Sequence, residues 1–218
     1  MASAHPVWDL ATRLFHWSLV VCFALAWWSA KFERYDIHEV TGQVMIVLLV
    51  TRFVWGFLGS VHSRFSDFVV GPASVLAYLR GQPSPTPGHN PLGGWSVLAL
   101  LCLLLLQAIS GLINSDDILF SGPLYYAAEP QLRDLMGVVH QWTFDILLGL
   151  IALHILTIMY YQFRLKKQLI QPMLVGTATD REGHKAPVSA LKAVLVAIVI
   201  ALLLWQGLEL APQPQPLW

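Results

Sequence analysis

Five apolar runs, each about as long as a bilayer is thick, decide what this chain can fold into. They cover roughly residues 14–30, 40–58, 94–113, 138–161 and 188–208. A helix needs about 20 residues to cross a hydrocarbon core of ~30 Å. Lipid offers no partner for backbone N–H and C=O groups, so a spanning segment bonds to itself as a helix unless it belongs to a closed barrel. The expected fold is all-α and membrane-embedded. Composition agrees: 56% of the 218 residues are hydrophobic and 12% charged, and the mean hydropathy is +0.60, outside the range of an ordinary soluble domain. Net charge is zero, so nothing favours nucleic acid. Cys22 and Cys102 lie within apolar runs and read as small hydrophobes. Trp17, Trp27, Trp28, Trp55, Trp95 and Trp205 stand near run ends, as in the aromatic belts of a bilayer interface.

Residues 1–13 lack a basic region ahead of a cleavable core, so the first run is expected to be retained. The longest connections are 59–93 and 114–137. The first holds the turn-forming segment Gly81-Gln-Pro-Ser-Pro-Thr-Pro-Gly88, which cannot be helical. The Pro-rich tail from Ala211 is expected to be extended and mobile. Charge sets the orientation. The N-terminus and the second and fourth loops, with their flanks, hold Arg13, Arg52, Arg64, Arg80, Arg164, Lys166, Lys167, Arg181, Lys185 and Lys192. The first and third loops hold only Lys31, Arg34 and Arg133. The positive-inside rule places the N-terminus in the cytoplasm and, after five spans, the C-terminus in the periplasm. Lys192 must snorkel at the start of the last span.

Histidines inside such runs are costly and mark function by default. His5, His62, His89 and His184 fall outside the runs and read as solvated loop residues. His140 and His154 share the fourth run, 14 residues apart. That spacing is nearly four helical turns and roughly 21 Å of rise, so both lie on one face near opposite ends. Topology sets His16, at the start of the first span, level with His154. It sets His38, at the start of the second, level with His140. Two pairs result, at two depths, each drawn from different helices.

A haem iron binds between two facing imidazoles, and bundle cores commonly house cofactors. Zinc is the rival, but it takes about four ligands around one point, and these pairs lie too far apart to share an ion. Four structural histidines bonded to carbonyls are the remaining reading. No Cys-x-x-Cys-His occurs, so covalent haem attachment is not indicated. Arg52 is 14 residues after His38 and so returns to the same helical face near the inner pair; Arg13 is about one turn before His16. Either suits a haem propionate, or is simply a flanking cation. Asp145, nine residues before His154, points away from that histidine. It reads as a helix–helix contact or a proton relay. Gln107, Ser110 and Asn114 lie about one turn apart on the third span, where polar residues more often bond neighbouring helices than line a quinone pocket.

The stretch Trp8-Asp-Leu-Ala-Thr-Arg13-Leu-Phe-His16-Trp17 resembles the opening of bacterial cytochrome b561 proteins and of the b-type cytochrome subunits of nickel–iron hydrogenases and formate dehydrogenases. His38-Glu-Val-Thr-Gly42 and Thr51-Arg-Phe-Val-Trp55-Gly56 resemble their second helix, and His140 with His154 their fourth. The resemblance covers roughly residues 7–175. It implies an integral membrane four-helix bundle holding two haem b groups, the inner on His16 and His154 and the outer on His38 and His140. It further implies electron transport in a respiratory chain of the bacterial inner membrane. Electrons would pass between an exchangeable quinone and a periplasmic redox protein, either a cytochrome c or a dehydrogenase or hydrogenase subunit. Residues 88–95 look like the variants paired with cytochromes c. The expected division is a di-haem domain over 1–175 and, over 176–218, a cytoplasmic loop, the fifth helix and the tail. Two histidines per iron leave no open position, which suits electron transfer rather than oxygen chemistry. An electron-transfer subunit is therefore expected ahead of a self-contained enzyme, and no flavin, nicotinamide or iron–sulfur motif is present. The alternatives are a stand-alone quinone-linked oxidoreductase acting on a small reductant such as superoxide, and a scaffold without haem.

Overall fold

Lipid leaves each apolar run only its own backbone to bond with, and all five are helical. The computed structural model describes residues 5–84, 86, 88–116, 118, 120–178 and 187–212. In chain order the elements are β1 (His5–Pro6), α1 (Leu10–Lys31), α2 (Tyr35–Leu58), α3 (Phe65–Phe68), α4 (Pro72–Leu79), α5 (Pro91–Ile113), α6 (Pro130–Met159), α7 (Ile170–Val175), β2 (Thr177–Ala178) and α8 (Ala190–Glu209). Helices α1, α2, α5, α6 and α8 are long and apolar enough to cross a membrane. The protein is an all-α, multi-pass membrane protein, with one two-residue strand pair among the described residues.

The helices run further than hydropathy alone predicts, because polar caps set their ends. Asp9 starts α1 by accepting the Thr12 amide at 2.7 Å, and Asn90 starts α5 by accepting the Gly93 amide at 2.7 Å. Pro91 and Pro130 occupy first-turn positions of α5 and α6, where no amide hydrogen is needed. At its far end α6 widens into a π-helical turn, Tyr160–Arg164.

The close helix pairings are α1 with α2, α2 with α5, α5 with α6, and α8 with α2. Met45 and Leu49 of α2, Leu101 and Leu104 of α5 and Leu147 of α6 form the buried core. Ile46, Ala108 and Leu112 form a second cluster, against which Leu204 and Leu208 of α8 pack. Helix α6 meets α1 through rings, Phe144 lying 6.5 Å from both Phe23 and Trp27.

The end of the bundle that carries the N-terminus, here the inner end, is more built than a set of loops. Strand β1 pairs antiparallel with β2, tying the N-terminus to the segment after α7. Short helices α3, α4 and α7 occupy the connections, whereas Gly81–Ser84 is irregular as expected. Pro85 and Pro87, His184, Arg181, Lys185 and the tail from residue 213 lie outside the described residues. The hydroxyl of Tyr78 on α4 meets that of Tyr161 at 2.8 Å. Burial, and then that bond, push Tyr78 up to about 12, so it stays a neutral phenol.

Three expectations need correction here. His62 is not solvated: it is 3% exposed and bonds Asp67 at 3.1 Å. His89 is not free in a loop either, for its ring lies 4.7 Å from Trp8 and 4.6 Å from Phe68. Trp55 belongs to no interfacial belt, being buried with its indole N–H donated to Asp9 at 3.0 Å. In each case the packed inner end supplies apolar cover, and for His62 and Trp55 also a polar partner, that a bare loop or a lipid interface would not.

Candidate haem site

Helical phase predicts two histidine pairs, and the fold brings the outer one together. His38 of α2 and His140 of α6 face each other with ring centres 6.2 Å apart and planes at 81°. Two imidazoles that hold one metal from opposite sides, at about 2 Å per bond, place their ring centres about 6 Å apart. Each ring is also fixed in the tautomer such a site needs. The Nδ1–H of His38 is donated to the Ala26 carbonyl at 2.9 Å, and that of His140 to the Gln107 carbonyl at 3.0 Å. A carbonyl only accepts, so both Nδ1 atoms carry the proton and both Nε2 atoms keep a lone pair, the usual second contact of a metal-bound histidine.

Helix α5 builds the surroundings of His140. The Ser110 hydroxyl, fully buried, is 3.1 Å from Nδ1. The Gln107 amide nitrogen donates to Nε2 at 3.2 Å, the same lone pair a metal would take. The Gln107 side-chain oxygen Oε1 in turn accepts from the Thr143 hydroxyl of α6. Gln107 and Ser110 are thus inter-helix partners of a histidine. Gly111 makes the approach possible, since a Cβ there would stand 3.0 Å from Cε1 of His140. A Cβ on Gly42, one turn after His38, would meet nothing within 4 Å, so that side of the pair has open room.

At the inner end, His16 of α1 and His154 of α6 lie within electrostatic reach of each other. The His16 Nδ1 is buried without a hydrogen-bond partner. Arg13 donates from Nη1 to the Leu174 carbonyl at 2.6 Å, while its Nε is buried and unpartnered. Trp17 donates to the Met173 carbonyl at 3.1 Å, so the end of α7 covers this region. Arg52 is 3% exposed, with its guanidinium 5.4 Å from the Phe65 ring centre and Nη1 unpartnered. Buried N–H groups of this kind are rare and costly unless an acceptor completes them. A carboxylate such as a propionate would do so for both arginines. An orphaned imidazole nitrogen, two half-satisfied arginines and two histidines at ligating distance fit haem. Among the described residues no cluster of three or more His, Cys, Asp or Glu fits a bare ion.

The sequence left one element of this site unread. Asp9 sits at the inner end, accepting from Trp55 Nε1 and Ser63 Oγ, both at 3.0 Å, within electrostatic reach of Arg52. Its burial raises the carboxyl pKa, but the hydrogen bonds together outweigh this and hold it below the ordinary value. Asp145 is exposed on α6 and makes no hydrogen bond or ion pair with another described residue.

The chain is similar to a protein of Rhizobium leguminosarum bv. viciae described as a probable Ni/Fe-hydrogenase B-type cytochrome subunit, at 32% identity over 34% of this chain and 36% of the relative. It is similar to the probable Ni/Fe-hydrogenase 1 B-type cytochrome subunit of Escherichia coli (strain K12), at 21% identity over 50% of this chain and 59% of the relative. It thus spans less than two thirds of either relative's length. No solved structure matches it. The family described as prokaryotic cytochrome b561 matches residues 7–176, the stretch that holds His16, His38, His140, His154 and both arginines, and the chain belongs to that family of membrane b-type cytochromes.

Proposed function

We propose that this b-type cytochrome carries electrons across the bacterial inner membrane through two haem b groups, between the quinone pool and a redox protein in the periplasm. His38 and His140 hold the outer group, His16 and His154 the inner, and Arg13 and Arg52 neutralise propionates at the inner end. The observation that carries this reading is the facing of His38 and His140 at 6.2 Å with both Nδ1 atoms tied to backbone carbonyls. Haem supplies a one-electron couple with four equatorial nitrogens of its own. The chain supplies the axial imidazoles, fixes their tautomers, excludes other ligands from both faces and neutralises carboxylates.

In this reading residues 1–175 are the haem-carrying unit, and 176–218 add the inner loop, α8 and the tail. The names of the curated relatives support a hydrogenase-type subunit as the periplasmic partner, with a cytochrome c as the other candidate. The excess of Lys and Arg on the inner loops supports a cytoplasmic N-terminus and a periplasmic C-terminus.

The test is a reduced-minus-oxidised spectrum of purified protein with haem extracted and counted. Two b haems per chain are expected. A single haem would remove one pair from the reading, and a colourless protein from haem-replete cells would remove it altogether. Turnover with a small reductant such as superoxide, by the purified chain alone, would favour a self-contained oxidoreductase instead.

A second measurement probes the outer pair alone. Gly111→Ala places a methyl 3.0 Å from Cε1 and 3.4 Å from Nδ1 of His140, forcing the ring off its carbonyl anchor. Weakening such a second contact costs about ten-fold or more in metal affinity. Haem retention at the outer site should fall by that order, read by titrating haem into stripped protein, with the inner site unchanged.

A further inference from the structure

The outward face of α6 carries polarity that nothing else in the described chain uses. Its exposed residues include Trp142, Ile146 and Leu153, as suits a face turned to lipid. Among them Gln141 and Asp145 are also exposed, one turn apart. Asp145 makes no hydrogen bond or ion pair with any described residue. One further turn on is Gly149, where a Cβ would meet nothing within 4 Å. Helix α5 packs on α6 from the other side, and α8 packs on α2, so among the described elements none covers this face.

An ionisable side chain within a spanning helix ordinarily turns to a bundle interior and pairs there. Asp145 stands between His140 and His154, well inside the apolar run, and turns the other way. Polar side chains joined by a small residue at four-residue spacing are how spanning helices associate: the polar groups bond across and the small one lets backbones approach.

We propose that the Gln141–Asp145–Gly149 face of α6 docks a transmembrane helix of another protein, one presenting a cationic side chain to Asp145. Charge complementarity selects that occupant. A second copy of this chain, related by a two-fold axis on the same face, would set Asp145 against Asp145, and like charges in contact disfavour the pair. Lipid alone leaves the carboxylate without a partner. This inference is independent of the electron route.

The test uses the full-length cytochrome in phosphatidylcholine–phosphatidylglycerol vesicles, with a fluorescent donor on its N-terminus. The probe is a synthetic single-span polyleucine helix with an acceptor label and one central arginine; the comparison helix has leucine at that position. Association is expected to be at least ten-fold tighter for the arginine helix. Asp145→Asn should bring the two helices to within two-fold of each other, and Gly149→Leu should weaken the arginine helix several-fold. Both variants should keep the parent haem spectrum, which separates lost docking from lost folding. Equal association of the two helices, or a preference that survives both substitutions, overturns the proposal. So does energy transfer between two labelled copies of the chain that Asp145→Asn abolishes.

Discussion

On the proposed pairing, the His154→Ala protein is expected to retain one haem per chain and the parent two, with the inner spectral component missing and the outer intact. His154 belongs to α6 and lies within electrostatic reach of His16 of α1, whose Nδ1 is buried and unpartnered. Removing one imidazole would leave the proposed inner site a single axial ligand. The outer pair lies nearly four turns away on the same helix, so its geometry does not depend on residue 154. His16→Ala should give the same spectrum as His154→Ala, and the double variant should lose nothing more, since both ligands serve one group. His38→Ala and His140→Ala should form the complementary set. Haem counting with redox titration reads all four. A crosswise pattern, with His16→Ala and His38→Ala losing the same component, would refute the pairing by depth.

Replacing Asp9 by alanine should be the most destabilising change outside the histidines. Asp9 is 3% exposed and caps α1 while accepting from Trp55 and Ser63. It also supplies counter-charge to the buried Arg52. Loss of the cap costs roughly 1 kcal/mol, and a stranded buried donor about 1–3 kcal/mol more. These overlap, so a total of about 2–4 kcal/mol is expected. For a chain of this size that is a fall of roughly 10 °C in the thermal midpoint, measured by circular dichroism in detergent. Asp36→Ala is the control, because its ion pair with Arg34, at 3.6 Å, is exposed on both sides and worth little. The pH dependence has a definite sign. Hydrogen bonds hold the Asp9 carboxyl below its ordinary value against the effect of burial. Its contribution is therefore present above the ordinary carboxylate range and fades only as pH falls through the lowered value. Asp9→Ala should erase that acid-side loss.

Much of the fold was legible in the chain because the bilayer imposes it. Length and apolarity define a span wherever water is absent, so the five helices follow from composition alone. The helical repeat is equally rigid, which is why a 14-residue spacing puts His140 and His154 on one face. Helix ends were less legible: Asp9 and Asn90 extend α1 and α5 beyond the apolar runs by hydrogen bonding rather than by hydropathy. The inner-end elements α3, α4 and α7 escaped because short helices in polar connections carry no apolar period of membrane length.

The sequence by itself determined the number of spans, the histidine depths and the faces within each helix, since these depend on one helix and its solvent. Only the tertiary structure decided which helices meet. It turned Gln107 and Ser110 onto His140, tied His38 to Ala26, buried His62 and Trp55, and left Asp145 facing outward. The phase between one helix and the next is set by packing across the interface, through contacts such as Leu49 against Leu101 and Leu147, and no periodicity within a single helix encodes that rotation.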